Sequence, residues 1–320
     1  MEVLKEVPGQ APAGRIRRRW RLVLGTVVAL AFGLALAVLP WAEVGQALRA
    51  ARPAPLLVAV ALNIGMFAFW VWQWRLIARP LARVDWRAMS GVVALSVAGK
   101  VTLSGLAGVS SGLLALRYRA GLSFSEAGTV IAVDQLLALV TKLAVVGLAL
   151  WLLPLPALVH QAALGMAVLA LLMLAVLWLA GDPGRRVLPL EGRLRLPVLA
   201  LRRFLTDLSA LRSGPVLAGG LALAVLKKAL ETGSALAVQI ACGIEAPAAA
   251  AVLVVAAIGL TTLVPVVPGN LGVHSAGVFA AYTLLGTPAD LAIAAGLLHH
   301  AALLVASGIA VPFGLWLTRR

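Results

Sequence analysis

The sequence is poor in most of what soluble chemistry uses. A single cysteine, Cys242, stands among 320 residues, which excludes an intramolecular disulfide and says nothing of redox compartment. Only twelve acidic residues occur, and the aspartates Asp85, Asp134, Asp182, Asp207 and Asp290 are scattered, with no Asp-x-Asp pair. Paired-carboxylate or metal-assisted catalysis has little to draw on, so neither an enzyme nor a cofactor is expected. Charged residues of all kinds make up 12% of the chain, against 62% hydrophobic. With a mean hydropathy of +1.01, this excludes a soluble globular protein and predicts an all-α polytopic membrane protein. The net charge of +15 does not point to nucleic acid, because the arginines sit mostly in short linkers between apolar segments, where membrane topology accounts for them.

The most informative stretch is Thr262–Ser275, TLVPVVPGNLGVHS. Two prolines and two glycines, Pro265, Pro268, Gly269 and Gly272, interrupt continuous apolar sequence, so no regular helix runs through Pro265–Gly272. In hydrocarbon an unwound backbone is tolerated only where protein or a polar cavity surrounds it. Broken helices at membrane depth are a pointer to transporter substrate sites. A proline-kinked span and a short extramembrane turn are the plainer alternatives.

Along the chain, residues 1–21 read as a disordered, basic, cytoplasmic N-terminus. Spans are expected near Leu22–Pro40, Pro55–Ile77, Ser123–Leu153, Ala157–Ala180, Pro215–Ile244 and Pro288–Leu317, about six in all. Trp70, Trp72 and Trp74 read as an interfacial belt closing the second. Met89–Leu116 is rich in glycine and serine, and it decides the topology. If it crossed fully, the linker 181–214 with its seven arginines would face outward, against the positive-inside rule. A re-entrant hairpin at about 89–117 removes the conflict, and a second at about 246–286 then enters from the opposite side. Residues 22–153 and 157–320 thus both read span, span, re-entrant hairpin, span, an inverted-topology repeat. Gly121, Ala127 and Asp134 repeat at the same spacing as Gly286, Ala292 and His299.

PVVPGNLGV followed by LLG and an Ala-rich final span resembles the lysylphosphatidylglycerol synthase transmembrane-domain family, and GLAGVSSGLLALRYRAGLSFSEA resembles its first-half counterpart. The resemblance implies a lipid flippase or translocase fold in a bacterial cytoplasmic (inner) membrane, without the soluble synthase domain of fused members. It implies as partners an anionic phospholipid, a polyprenyl-linked lipid or a hopanoid; lipid-biosynthesis enzymes and a homo-oligomer stay open. Relatives often carry Gly at Asn270, an acidic residue near Ser275, an arginine around His299–His300 and a proline near Ser104–Gly105. Those features are absent here, so their roles do not carry over.

Counting ~1.5 Å per residue from each element's start puts Lys100, Asp134, Lys227, Lys228 and His299 roughly 15–20 Å deep, with Glu231 a turn beyond and Lys142 nearer the outer surface. Each such charge costs ~2.5–3.5 kcal/mol on insertion scales, so the group should face inward. Glu231 lies on one helical face with Lys227 and Lys228. Four lysines against two acids leave a surplus that suits an anion such as lipid phosphate; internal ion pairs that merely hold helices together are the alternative. The candidate site is Lys100, Ser104, Gly105, Asp134, Lys227, Lys228, Glu231, Pro268, Gly269, Asn270, Gly272 and His299. Ser104, Ser110, Ser111, Thr261 and Thr262 either bond the head group or bond back to their own helices, the second being the commoner case for any one of them. His299 and His300, with no Cys or third His nearby, do not read as a metal site. Three functions compete: lipid translocation, a non-transporting scaffold for lipid or envelope synthesis, and a lipid-linked transferase.

Overall fold

The computed structural model describes residues 41–102, 105–157, 214–261 and 272–318, with scattered positions between 159 and 172. The expected spans at 22–40 and 157–180 fall wholly or largely outside them, as do Ser104, most of the linker 181–214 and the tip 262–271. The chain divides between Glu43 and Val44, and the helices after that point belong to the unit Val44–Arg320. Across the division runs α1 (Trp41–Ala50). It is followed by α2 (Pro53–Ala78), α3 (Trp86–Thr102), α4 (Gly105–Tyr118), α5 (Phe124–Leu152), α6 (Gly214–Ala241), α7 (Ala249–Thr261), α8 (Val273–Leu284) and α9 (Ala289–Leu317). No strand occurs among the described residues.

Two classes of helix are present. α2, α5, α6 and α9 have 26, 29, 28 and 29 residues, roughly 39–44 Å of helix against a hydrocarbon core of about 30 Å. α2, α5 and α9 are long and apolar enough to cross a membrane, and α6 matches them in length but carries Lys227, Lys228 and Glu231. This is a helical membrane protein. α3, α4, α7 and α8 have 17, 14, 13 and 12 residues, about 18–26 Å each.

Local sequence sets the boundaries. Pro53 opens α2, where a missing N–H costs nothing. Ser123 and Glu126 form a reciprocal capping box that starts α5. Gly121 and Gly286, at φ 74° and 81°, turn the chain three residues before α5 and α9 begin. An L side chain in that conformation costs about 1–2 kcal/mol.

The short helices pack in pairs. α3 and α4 run antiparallel, with Ser96 Oγ donating to the Gly108 carbonyl at 2.9 Å and Ser111 Oγ to that of Leu95 at 3.0 Å. A Cβ on Gly112 would lie 2.8 Å from Trp74 Cη2 and 3.0 Å from Ser96 Oγ. α7 and α8 repeat this contact: a Cβ on Gly277 would lie 2.9 Å from Thr261 Oγ1 and 3.1 Å from the Ile258 nitrogen. Small residues are what allow helices to approach closely in lipid, where apolar attraction between them is weak.

Each pair begins and ends at one end of the molecule. Arg119, just past α4, reaches Thr318 Oγ1 at 3.4 Å, and a Cβ on Gly91, early in α3, would meet both residues. At the other end, the Arg52 amide donates to the Ala241 carbonyl, joining the start of α2 to the end of α6. There Gln239 Nε2 donates to Ala246 O at 2.7 Å, and Tyr282 Oη of α8 reaches Gln239 Oε1 at 3.5 Å. Two apolar clusters follow this division. One joins Val71–Ile77 of α2 and the start of α5 to α3 and α4, and the other joins Ala235–Val238 of α6 and the start of α9 to α7 and α8. The principal helix contacts match accordingly. Exchanging α2 with α6, α3 with α7, α4 with α8 and α5 with α9 carries every one of them onto another, or onto itself.

The tryptophan belt needs correction. Only Trp72 is exposed, whereas Trp74 is buried against Gly112 and Trp70 lines an internal cavity. Residues 70 and 74 are one helical turn apart and face inward together, while 72 points away from them.

Candidate functional site

A cavity of about 450 Å³ lies between the four long helices at half their length. It is lined by Asn63–Trp74 of α2, Ile131–Lys142 of α5, Ala224–Glu231 of α6 and His299–Ala310 of α9, each run at or near its helix's midpoint. Lys100 and Gly105, either side of the α3–α4 break, close one wall. Gly259 of α7 and His274 of α8 close another.

The charged residues expected from their depth meet here. Lys227 Nζ is 3.7 Å from Asp134 Oδ1, and the only hydrogen bond to Asp134's side chain is a long one from Gln135 Nε2, at 3.4 Å, among the described residues. Lys228 pairs with Glu231 one turn away, as same-face spacing allows. Lys100 and Lys142 have no carboxylate within salt-bridge distance among the described residues. Lys142, expected nearer the outer surface, lines the same cavity. Trp70 stands between two of the cations, with Lys100 Nζ 5.7 Å and Lys227 Nζ 5.2 Å from its ring centroid. Such contacts are worth about 0.5–2 kcal/mol where water is scarce.

A third histidine is close after all. His274 Nε2 and His299 Nδ1 are 2.7 Å apart with rings stacked at 23°, and His300 meets His274 edge-on with centroids 5.2 Å apart. Twenty-five residues separate His274 from His299, and only the packing of α8 on α9 joins them. Two nitrogens on one tetrahedral zinc would stand about 3.3 Å apart, so this pair shares a proton across a hydrogen bond instead. No group of three His, Cys, Asp or Glu suited to a metal occurs among the described residues.

Of the remaining expected site residues, Gly105 lines the cavity with open space where a Cβ would go. Gly272 caps α8 at φ 82°. Ser104, Pro268, Gly269 and Asn270 lie outside the described residues, as does Thr262. Thr261 bonds back to Ala257 O, but Ser111 also crosses to α3, which the back-bonding expectation did not include. Ser275, where relatives often carry an acid, ties α8 to α9 through the Gly296 carbonyl at 3.1 Å.

The cavity wall is built twice. Asp134, Gln135, Ala138, Thr141 and Lys142 of α5 line it, and so do His299, His300, Leu303, Ala306 and Ser307 of α9, all related by the one shift that carries 134 onto 299. Met66, Phe67 and Trp70 of α2 share the spacing of Lys227, Lys228 and Glu231 of α6, at a different shift. The chemistry at the matched positions differs: Met66, Phe67 and Trp70 stand where α6 has Lys227, Lys228 and Glu231, and Asp134 stands where α9 has His299. No curated protein and no solved structure matches the chain. Residues 21–310 match the model of the lysylphosphatidylglycerol synthase TM region, and the chain belongs to that family.

Proposed function

We propose that the protein is a lipid translocase, not an enzyme, and that it passes the head group of an anionic or amphipathic lipid through the mid-length cavity. The observation that carries this reading is the set of four lysines and two carboxylates around about 450 Å³ halfway along four long helices. Six charges at that depth are expensive, and two ion pairs account for only four of them. Lys100 and Lys142 remain as surplus positive charge, which a phosphate would neutralise. Membership of a family tied to lipid metabolism or transport agrees with this. A scaffold for lipid synthesis, the second reading, draws on the same two ion pairs as helix-joining devices, but it gives the surplus lysines and the open volume no role.

In this reading α3–α4 and α7–α8 are re-entrant hairpins entering from opposite faces of the bacterial inner membrane, within an inverted repeat. Their return to opposite ends of the molecule and the matched helix contacts support it. Arg79 and Arg83 follow α2, Arg87 lies in the first turn of α3 and Arg119 follows α4, all toward the Thr318 end, which suits a cytoplasmic face there. Lys100 is the natural probe, because removing it leaves no carboxylate unpaired. Lys100→Ala should slow leaflet exchange of labelled anionic lipid in proteoliposomes by about tenfold at an unchanged melting temperature, as losing one charge-assisted hydrogen bond predicts. Exchange by wild type no faster than in empty liposomes, for anionic, polyprenyl-linked and hopanoid lipids alike, would sink the translocase in favour of the scaffold.

A further inference from the structure

His274 and His299 join a short helix to a long one through two titratable rings, and the frame does not require that. The shift that carries Gly112 onto Gly277 and Asp134 onto His299 also carries Val109 onto His274. Val109 of α4 lines the cavity too, and it makes its side of the wall with an apolar side chain. A hydrogen-bonding pair at the second crossing is therefore an addition to the packing, with chemistry of its own. His274 and His299 are 6% and 3% exposed, and His299 Nε2 has no hydrogen-bond partner among the described residues.

The 2.7 Å bond between His274 Nε2 and His299 Nδ1 needs one proton between the two nitrogens. Between neutral rings that leaves two arrangements. Either His299 donates from Nδ1, with its Nε2 bare and His274 protonated at Nδ1, or His274 donates from Nε2, with its Nδ1 bare and His299 protonated at Nε2. One added proton converts the first into the second. It binds the bare His299 Nε2, the Nδ1 proton crosses to His274 Nε2, and the proton on His274 Nδ1 leaves. One proton enters, one leaves, and each ring is neutral again. Imidazole takes up and gives back a proton near neutral pH, which an amide or a hydroxyl does not. The groups that share the cavity with the pair are His300 from α9, Lys227, Lys228 and Glu231 from α6, Asp134 and Lys142 from α5, Lys100 from α3, and Asn63 and Trp70 from α2. From α4 and α7 no titratable group lines it among the described residues. Asp134 and Glu231 are the carboxylates there, and a polar cavity of about 450 Å³ has room for water to connect them to His299 Nε2.

We propose that protons are a second cargo, which the His274–His299 pair passes between the cavity and the start of α8. His274 is the second residue of α8, just past Gly272, so the release end of the pair lies where the chain re-enters helix. Each passage leaves both rings in the tautomer opposite to the one they began in, so a second proton cannot follow in the same direction until they are reset. Parting α8 from α9 breaks the bond and lets each ring exchange its proton with water. Passage is thereby tied to movement of the α7–α8 pair and not to an open channel. The proton path stands on the pair itself; what it drives rests on the translocase reading.

For the test, the purified full chain is reconstituted into vesicles of phosphatidylethanolamine and phosphatidylglycerol loaded with a pH-sensitive dye. An inside-negative potassium diffusion potential, set with valinomycin, draws protons in. Wild type should acidify the lumen faster than protein-free vesicles do. His299→Gln should lose this excess, because a glutamine amide keeps a hydrogen bond to His274 but relays no proton. His274→Gln should lose it as well. His160→Gln, at an exposed position outside the cavity, should keep the wild-type rate. Wild type no faster than protein-free vesicles would overturn the proposal. So would a wild-type rate in His299→Gln, the result that a purely structural bond predicts. Leaflet exchange of labelled phospholipid in the same vesicles separates the two readings. Exchange without proton entry removes proton passage and leaves the translocase standing, while proton entry without exchange does the reverse. Melting temperatures within a few degrees of wild type show that the glutamine variants fold, and either one carries the test if the other does not.

Discussion

At the scale of single residues, the buried pair Lys227–Asp134 is where stability and function are most entangled. Asp134 is 3% exposed, and its Oδ1 has no hydrogen bond among the described residues, so Lys227 at 3.7 Å supplies most of its compensation. Truncating one partner of a buried pair typically costs about 3–5 kcal/mol, because the other charge is left bare. Lys227→Ala should therefore lower the melting temperature markedly, and Asp134→Asn in the same chain should recover most of the loss. The comparison is thermal unfolding of the two single variants and the double variant in one detergent. If the double variant were no more stable than Lys227→Ala, the pair would not be coupled in this way. The members of this cluster were legible in the sequence, because charges in apolar segments are rare and their depth follows from counting residues. Their partners were not all legible. Depth does not give azimuth, so Trp70 read as an interfacial anchor and His274 went unnoticed until packing set it against His299.

At the scale of elements, the helical pairs depend on glycine at their crossings. A Cβ on Gly277 would press on the Ile258 nitrogen at 3.1 Å and the Ala257 carbonyl carbon at 3.2 Å, both backbone atoms that cannot turn aside. Gly277→Ala should force α7 from α8 and destabilise the protein by roughly 1–3 kcal/mol, the usual scale of overpacking. Gly147→Ala, in open space on α5, should be neutral or slightly stabilising, because alanine is the better helix former. Equal melting temperatures for these two variants would show that the crossing is not tight. The element boundaries were largely readable from the sequence, since glycine, proline and arginine punctuate long apolar runs. The matched spacings of the sequence also have structural counterparts. Gly121 and Gly286 share a positive φ, Ala127 and Ala292 are fully buried, and Asp134 and His299 both line the cavity. The sequence did not reveal that Ser96–Gly112 and Thr261–Gly277 make one contact twice, because serine and threonine in an apolar helix read first as back-bonding residues.

At the scale of the whole molecule, the question is whether the two helical pairs enter the membrane and return, and charge and geometry bear on it separately. The charge argument rests on the seven-arginine linker at 181–214, of which only Gly214 is described. Geometry does not use that linker. Arg119 meets Thr318 at one end, and Tyr282 meets Gln239 at the other, so each pair comes back to the end it left. A pair that crossed fully would have its first and last residues about 30 Å apart. With Cys242→Ser as background, single cysteines replacing Arg119 and Arg202 should react with a membrane-impermeant maleimide only in inside-out vesicles. Cysteines replacing Glu245 and Thr287, which flank α7–α8, should react only in right-side-out vesicles. Labelling of Arg119→Cys and Arg202→Cys from opposite faces would mean that α3–α4 crosses the membrane. Access to the mid-length cavity from both leaflets would then need another explanation.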